Sequence, residues 1–474
     1  MLKPPFEKDN PRFLWVEPSN DLGGYGTYEK PFGRISTALS KVKPDQAIIL
    51  KPGNYFGDVT IEISGTYEKP IYILADNSNG DVIIKESCWY FYDVCDVVVN
   101  GLKFLDSPLG SIYVIGACER NKFENIFFKN CGKSKESSCT MFFGGEGSEC
   151  NIVENCCFEF LDEYFRDNKS DNKDMKVGLM ISEGDLFKGN AIKNHIIRRN
   201  KFSNYDYGIL IGVNDSTSNQ YGHIVEFNTI KNCLKEGIMV KCGDTQIKGN
   251  LVQNCLNNSI SVITGEGSVI ENNRIINSGI GIRVAGKGHT IYNNCLIRCK
   301  DEAIRILEKN SETGVQTQNV IIENNTCIDW DTNKNNTGGI VIESGTSSVI
   351  KNNIFFGKGK PYIFACEKIK DNNNHLIINN ISGGGCTSIK GVVEANINFA
   401  SYQEDNFTNT SGYGANGWMC SPDFYDPDKD LENYELNYNN NIENEDDVYI
   451  QNSQRPANDK DTFIKAMFFD KENS

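Results

Sequence analysis

A chain of 474 residues is long enough for about three ordinary domains or for one long repeat architecture. With 39 % hydrophobic and 23 % charged residues, 43 Gly against 13 Pro, and about one residue in eight Asn, it is neither disordered nor collagen-like. The net charge of -15 argues against nucleic acid or an anionic membrane surface as the main partner, although fourteen acids against five bases in Ser421–Ser474 leave the rest of the chain nearly balanced and able to hold a basic groove.

The start, Met1-Leu2-Lys3-Pro4-Pro5-Phe6, lacks the apolar core of a signal peptide, and no apolar run approaches the ~20 residues needed to cross a bilayer. No membrane insertion is expected. A place outside the cell, or on a cell or virion surface, requires a signal already removed or another exit route. Residues 1–45 read as an N-terminal segment. Its Phe32–Val42 stretch spaces apolar residues like a short amphipathic helix, suited to cap the open end of a repeat.

Residues 46–400 carry the repeat. A few alternating apolar residues lead to Asn and then to another apolar pair, with the Asn at 100, 125, 155, 200, 228, 250, 273, 294, 325, 353 and 380. A minimum spacing near 22 residues, stretched in some intervals, is what a coiling strand with inserted loops gives. A second strand runs between them: Gly178-Leu-Met-Ile, Gly208-Ile-Leu-Ile, Gly237-Ile-Met-Val, Ser259-Ile-Ser-Val, Gly281-Ile-Arg-Val, Ala303-Ile-Arg-Ile and Gly339-Ile-Val-Ile. Alternation turns the second and fourth residues of each inward and the third outward. Coils stacked ~4.8 Å apart let each short strand pair with its equivalent on the next coil. The expected fold is all-β, a right-handed parallel β-helix of about 11 or more coils. Asn suits its turns, because Asn tolerates the left-handed conformation and its amide can bond to the Asn above and below. Residues 401–474, acidic and carrying Tyr402, Phe407, Tyr413, Trp418, Phe424 and Tyr425, read as a C-terminal cap with a mobile tail after Asn440.

The ladder assigns two residue types that would otherwise suggest chemistry. His195, His223, His289 and His375 each stand five positions before a ladder Asn, and recurrence at one station of a coil is structural. Cys233, Cys255 and Cys299 follow ladder Asn residues by five and read as an inward stack. Seventeen Cys cannot all pair. No C-x-x-C or zinc-finger spacing is present, so neither a disulfide scaffold nor a thiolate metal site is expected.

Extra residues in a fixed coil must leave as loops, which mark the functional side of a solenoid. The largest insertion lies between Asn155 and Asn200 and contains the charged run from Asp162 to Asp174. Others run from Gly212 to Tyr221 and from Leu307 to Gln318. All three join the Gly-led strands, so they should wall that sheet's outer face. On this face Lys241, Arg283 and Arg305 fall within two or three rungs, roughly 10 to 15 Å, with Glu236 and Glu302 close by. Three cations on one stretch of sheet make a place for an acidic sugar. No Ser-His-Asp or Cys-His arrangement, H-E-x-x-H or glycine-rich phosphate loop appears. Paired carboxylates for hydrolysis, Glu236 with Glu302 or Glu183 with Asp185, have no distinguishing pattern.

Ser19-Asn-Asp-Leu-Gly-Gly-Tyr-Gly-Thr-Tyr-Glu-Lys-Pro-Phe-Gly-Arg-Ile-Ser-Thr-Ala-Leu with Ile48-Ile-Leu-Lys-Pro-Gly-Asn-Tyr-Phe resembles the N-terminal segment of the pectate-lyase-like β-helix superfamily. His223–Cys299 is similar to the central coils of polysaccharide lyase family 6, the alginate lyase and chondroitinase B group. The matching residues are Asn228, Glu236, Lys241, Asn250, Gly281-Ile282-Arg283, His289 and Asn294. The resemblance implies Lys241 as base and Glu236 as a ligand of calcium beside the substrate carboxylate. Two positions depart from that pattern. Ile238 stands where a second acid belongs, and Ile263-Thr264-Gly265 replaces an Arg-bearing turn.

The leading expectation is therefore a polysaccharide lyase that cleaves a uronate-containing polysaccharide by β-elimination. Lys241 and Arg283 would be catalytic, Arg305 and Glu302 would bind substrate, and Glu236 would hold any metal. The competing expectation is a non-catalytic or virion-borne, tailspike-like β-helix that binds a surface glycan or is purely structural. The resemblance implies a monomer for the lyase, whereas a tailspike would be a trimer.

Overall fold

Strands of three to six residues cannot stand alone, so their backbone groups must be paired by neighbours one coil away. The computed structural model describes residues 4–19, 23–133, 139–160, 175–182, 192–212, 220–309, 314–335, 337–343, 347–357, 363–365, 375–383, 391–395, 397, 399–401, 403–409, 413–415 and 420–421. Among these, three long parallel sheets wind around one core. The first has fourteen strands, from Phe13–Val16 to His375–Ile378. The second has fourteen, from Gly53–Phe56 to Val392–Glu394, and the third twelve, from Val59–Ile61 to Ile363–Ala365. Each coil visits them in that order. Ile280–Val284, for example, pairs in parallel with Asn258–Val262 before it and Ile304–Ile306 after it. The protein is a right-handed parallel β-helix.

The helix Ile35–Leu39 buries Ile35, Ala38 and Leu39 and packs on Phe13–Val16 and Val59–Ile61 at the first coil. The N-terminal segment also supplies the first strand of the solenoid, since Phe13–Val16 pairs with Ala47–Leu50. The described part of the C-terminal segment lies along the second sheet's outer face, where Phe407, Ala415 and Cys420 bury against Leu251, Cys295, Ile297 and Ile328. Arg298 grips Asp405 through two 2.7 Å bonds there. Tyr402, Trp418, Phe424, Tyr425 and the expected tail after Asn440 lie outside the described residues. No helix among the described residues is long and apolar enough to cross a membrane.

The interior changes character along its axis. In the early coils Phe104, Phe128, Phe158 and Phe202 stack ring on ring at 5.4, 4.6 and 4.5 Å. The asparagine ladder starts only at Asn200 and runs through Asn228, Asn250, Asn273, Asn294, Asn325 and Asn353 to Asn380, all buried. At each step, the Asn side-chain oxygen accepts the backbone N–H and side-chain amide of the Asn one coil before, as between Asn228 and Asn250 at 3.0 Å. Asn100, Asn125 and Asn155, expected in this ladder, are outside it. The ladder station in their coils is filled by Leu102, Ile126 and Cys156, and Cys156 donates its N–H to Asn200. Asn125 and Asn155 stand one residue earlier, at positive φ. Asn272, Asn293, Asn324, Asn352 and Asn379 occupy that station in later coils. The left-handed turn and the buried ladder are thus separate jobs of adjacent residues.

A second polar column runs parallel to the first. Asn121 donates its N–H to Asn151, Asn151 to His195 Nδ1 (3.2 Å), and His195 to His223 Nδ1 (3.3 Å). Further on, Ser268 donates to His289 Nδ1 at 3.2 Å. His195, His223 and His289 are fully enclosed, as their shared station implied. Cys233, Cys255 and Cys299 are equally buried.

Candidate functional site

The third sheet carries the Gly-led strands, and its register fixes which side chains meet outside. The outward column runs Tyr90, Tyr113, Phe142, Met180, Leu210, Met239, Ser261, Arg283, Arg305 and Val341. Its early half is an apolar wall, with Tyr90 and Tyr113 stacked at 5.5 Å and Phe142, Leu210 and Met239 buried beneath their neighbours. At Ser261 the column turns polar, and Arg283 and Arg305 follow as direct register partners. The long insertions join the ends of these strands. Residues 161–174, 183–191, 213–219, 310–313 and 344–346, which include Glu183 and Asp185, lie outside the described residues.

Glu236 opens the strand Glu236–Val240. Its side chain is buried, 6 % exposed, and one carboxylate oxygen accepts the Asn258 amide at 2.7 Å. Among the described residues, the other oxygen, Oε2, is buried and makes no hydrogen bond of good geometry. Burial pushes the Glu236 carboxyl up, against the opposing pull of Arg283, Asn258, Ser261 and Lys241 around it. Arg283 is half-buried, and its Nε likewise makes no hydrogen bond among the described residues. The Ser261 hydroxyl, which favours the ionised Glu236 from the next coil, likewise makes no well-formed hydrogen bond among the described residues, so poorly satisfied buried polar atoms recur on three consecutive coils. Such atoms are uncommon and costly in native structures.

The other expected cations divide. Lys241 follows directly on the Glu236 strand, is half-buried, and donates its backbone N–H to Ile211 at 2.7 Å. One coil on, its station is taken by buried Ile263, which joins Met239 and Leu210 in the apolar wall. Arg305 is already engaged by two carboxylates: Nε and one terminal nitrogen donate to Glu343 at 3.1 and 2.9 Å, the other to Glu302 at 3.4 Å. Thr337 donates to the same Glu302 oxygen at 2.6 Å, and the Glu308 N–H binds Glu343 at 3.0 Å. Glu302 therefore serves Arg305, while its Oε2 is buried and makes no hydrogen bond among the described residues.

Asn258 and Thr337, which complete these contacts, were not among the expected site residues. Asn258 could have been found from register alone, because it shares the station of Glu236 one coil later. For calcium, the geometry offers little. A calcium ion takes six to eight oxygens, whereas the described residues hold no group of three His, Cys, Asp or Glu side chains able to bind an ion. Glu236 is a single carboxylate facing two cations. This donor set does not fit calcium.

Comparison with known proteins agrees with this architecture. The family model described as the right handed beta helix region matches residues 186–335. No curated protein sequence matches the chain. Among solved structures, the backbone follows the polysaccharide lyase family 6 alginate lyase AlyGC with a TM-score of 0.59 at 19 % identity, over 88 % of this chain and 58 % of that one. It follows a mannuronic acid specific family 6 lyase from human gut microbiota at 0.60 and 18 %, over 81 % of this chain and 91 % of that one. A family 6 polysaccharide lyase from Pseudopedobacter saltans gives 0.56 and 17 %, with 81 % and 92 % covered. The chain is thus a right-handed β-helix built like the family 6 lyases, and it spans just over half the length of AlyGC.

Proposed function

We propose that the chain binds a uronate-containing polysaccharide along the outer face of the third sheet and cleaves it by β-elimination. The observation that carries this reading is the group of buried, poorly satisfied polar atoms among the described residues at Glu236 on the rung of Lys241, at Ser261 one rung on, and at Arg283 two rungs on. A uronate carboxylate would pair with the half-buried Arg283 guanidinium, and neutralising that carboxylate makes the adjacent C–H more acidic. Lys241 in its neutral form would take the proton. The electron pair of the broken C–H bond forms the ring double bond as the glycosidic C–O bond breaks, and the expelled oxygen recovers the proton from the lysine ammonium. Glu236 would position Arg283. The fold likeness to family 6 lyases supports this assignment, as does the resemblance around Lys241, and an extracellular or surface location goes with it.

Incubation with alginate, chondroitin, heparinoid and pectic substrates, with calcium and with chelator, should produce a near-ultraviolet absorbance rise from the new double bond. Lys241→Ala should abolish that rise while sugar binding persists on Arg283. No rise on any substrate, or near-parental turnover by Lys241→Ala, would remove lyase chemistry from Lys241. Binding without turnover is a second reading, favoured by Ile263 at the station beside Lys241. It predicts retained affinity without product, and in its tailspike-like form a trimer by light scattering.

A further inference from the structure

The groove changes charge on the C-terminal side of Arg283, and this rests on the acidic-sugar reading above. One rung beyond Arg283, Arg305 is held by Glu302 on its own rung and by Glu343 on the next, so two carboxylates face one guanidinium and this cluster carries a net negative charge. Glu302 is 6 % exposed, and its Oε2 is buried with no hydrogen-bond partner among the described residues. The next residue in the column is Val341, apolar and 7 % exposed. A pyranose is about as long as one rung is tall, so a polysaccharide along the axis places consecutive sugars on consecutive rungs.

We propose that Glu302 and Glu343 are specificity-determining residues, and that the groove selects a polymer in which the uronate bound at Arg283 is followed, toward Val341, by an uncharged sugar. That sugar brings no charge beside the cluster, whose more exposed carboxylate is Glu343, and rests its apolar face toward Val341. A homopolyuronate would instead bring a second carboxylate against this net negative cluster, where like charges in a partly buried site repel.

The test compares size-matched oligosaccharides of unsulfated chondroitin or hyaluronan, in which uronate alternates with an N-acetylated sugar, against oligomers of alginate and polygalacturonate. Dissociation constants by calorimetry and rates of unsaturated product are read for the parent, Glu343→Gln and Glu302→Gln, with melting temperatures to show that each variant is folded. The alternating polymers should bind about tenfold or more tightly than the homopolyuronates. Glu343→Gln should narrow that ratio, because it removes one negative charge. Equal or tighter binding of a homopolyuronate by the parent overturns the proposal and leaves the lyase reading standing. If the binding preference holds without product, the lyase reading falls and this one stands. If neither class binds, both fall. Should Glu343→Gln fail to fold, the parent comparison and Glu302→Gln still decide.

Discussion

Three imidazoles inside the coil tie the stability of the molecule to pH. The Nδ1 atoms of His195, His223 and His289 each accept a backbone N–H from the coil before, which only an unprotonated nitrogen can do. Burial holds His223 down at about 3 and His289 at about 4, and burial together with neighbouring His223 holds His195 well below its usual value. Unfolded imidazoles take up protons near 6.5. Below that pH the unfolded chain binds more protons than the folded one. Stability is therefore complete above about pH 6.5 and falls toward pH 4 and then 3, by up to about 1.4 kcal/mol per pH unit for each imidazole. Melting temperature should drop over this range. His223→Asn, which installs the residue found at this station in Asn121 and Asn151, should flatten the slope; an unchanged slope would exclude His223 as a contributor. Asn250 offers a contrast with Lys241. It donates to the Val225 carbonyl and Asn273, and accepts from Asn228, so Asn250→Ala leaves buried groups unpaired on both sides. The expected loss is about 3 kcal/mol in chemical denaturation. Lys241→Ala, on the outer face, should change stability by no more than about 0.5 kcal/mol.

In the third-sheet coils from Gly178 to Gly339, a small residue precedes the alternating inward pair, and the reason is steric. A Cβ on Gly237 would sit 2.5 Å from Val252 Cγ1 and 2.7 Å from the Ser259 carbonyl oxygen, and one on Gly208 2.8 Å from Gly237 O and Ile230 Cγ2. The opening of the third-sheet strand thus abuts the second-sheet side chains across the core, and the alternation starts only one residue later. Gly237→Ala should cost about 1–3 kcal/mol through overpacking, seen as a lower denaturant midpoint at unchanged m. A neutral outcome would mean that Val252 moves aside at little cost. The outer face of the same element tolerates change far better, which is why it is free to alter from the aromatic wall at Tyr90 and Tyr113 to the charged stretch at Arg283 and Arg305 without disturbing the interior.

A solenoid is stabilised coil against coil, so its ends are its weak points. Here the first coil is covered by the strand Phe13–Val16 and the helix Ile35–Leu39. Deleting residues 1–45 would leave Ala47–Leu50 as an open edge of four buried apolar residues, a template for pairing with other chains. The shortened chain should form large species by light scattering at concentrations where the full chain stays uniform. A uniform shortened chain of native circular dichroism would show that the cover is dispensable.

Periodicity in the sequence was sufficient for the fold, the inward set of each Gly-led strand, and the structural place of the histidines and of Cys233, Cys255 and Cys299. All of these repeat at one station, and stacking coils turns a station in sequence into a column in space. It also sufficed to put Lys241, Arg283 and Arg305 on one outer face. Tertiary structure decided what repetition does not encode. The early Asn residues fall outside the buried ladder because one position separates an inward residue from a left-handed turn, and both favour Asn. Arg305 is spent on Glu302 and Glu343 while the Arg283 Nε makes no hydrogen bond among the described residues, a distinction set by side-chain reach between coils rather than by residue type. Whether a charge on the surface is compensated depends on neighbours 38 residues away in sequence, as for Arg305 and Glu343, and only the stacking of the coils brings those neighbours into contact.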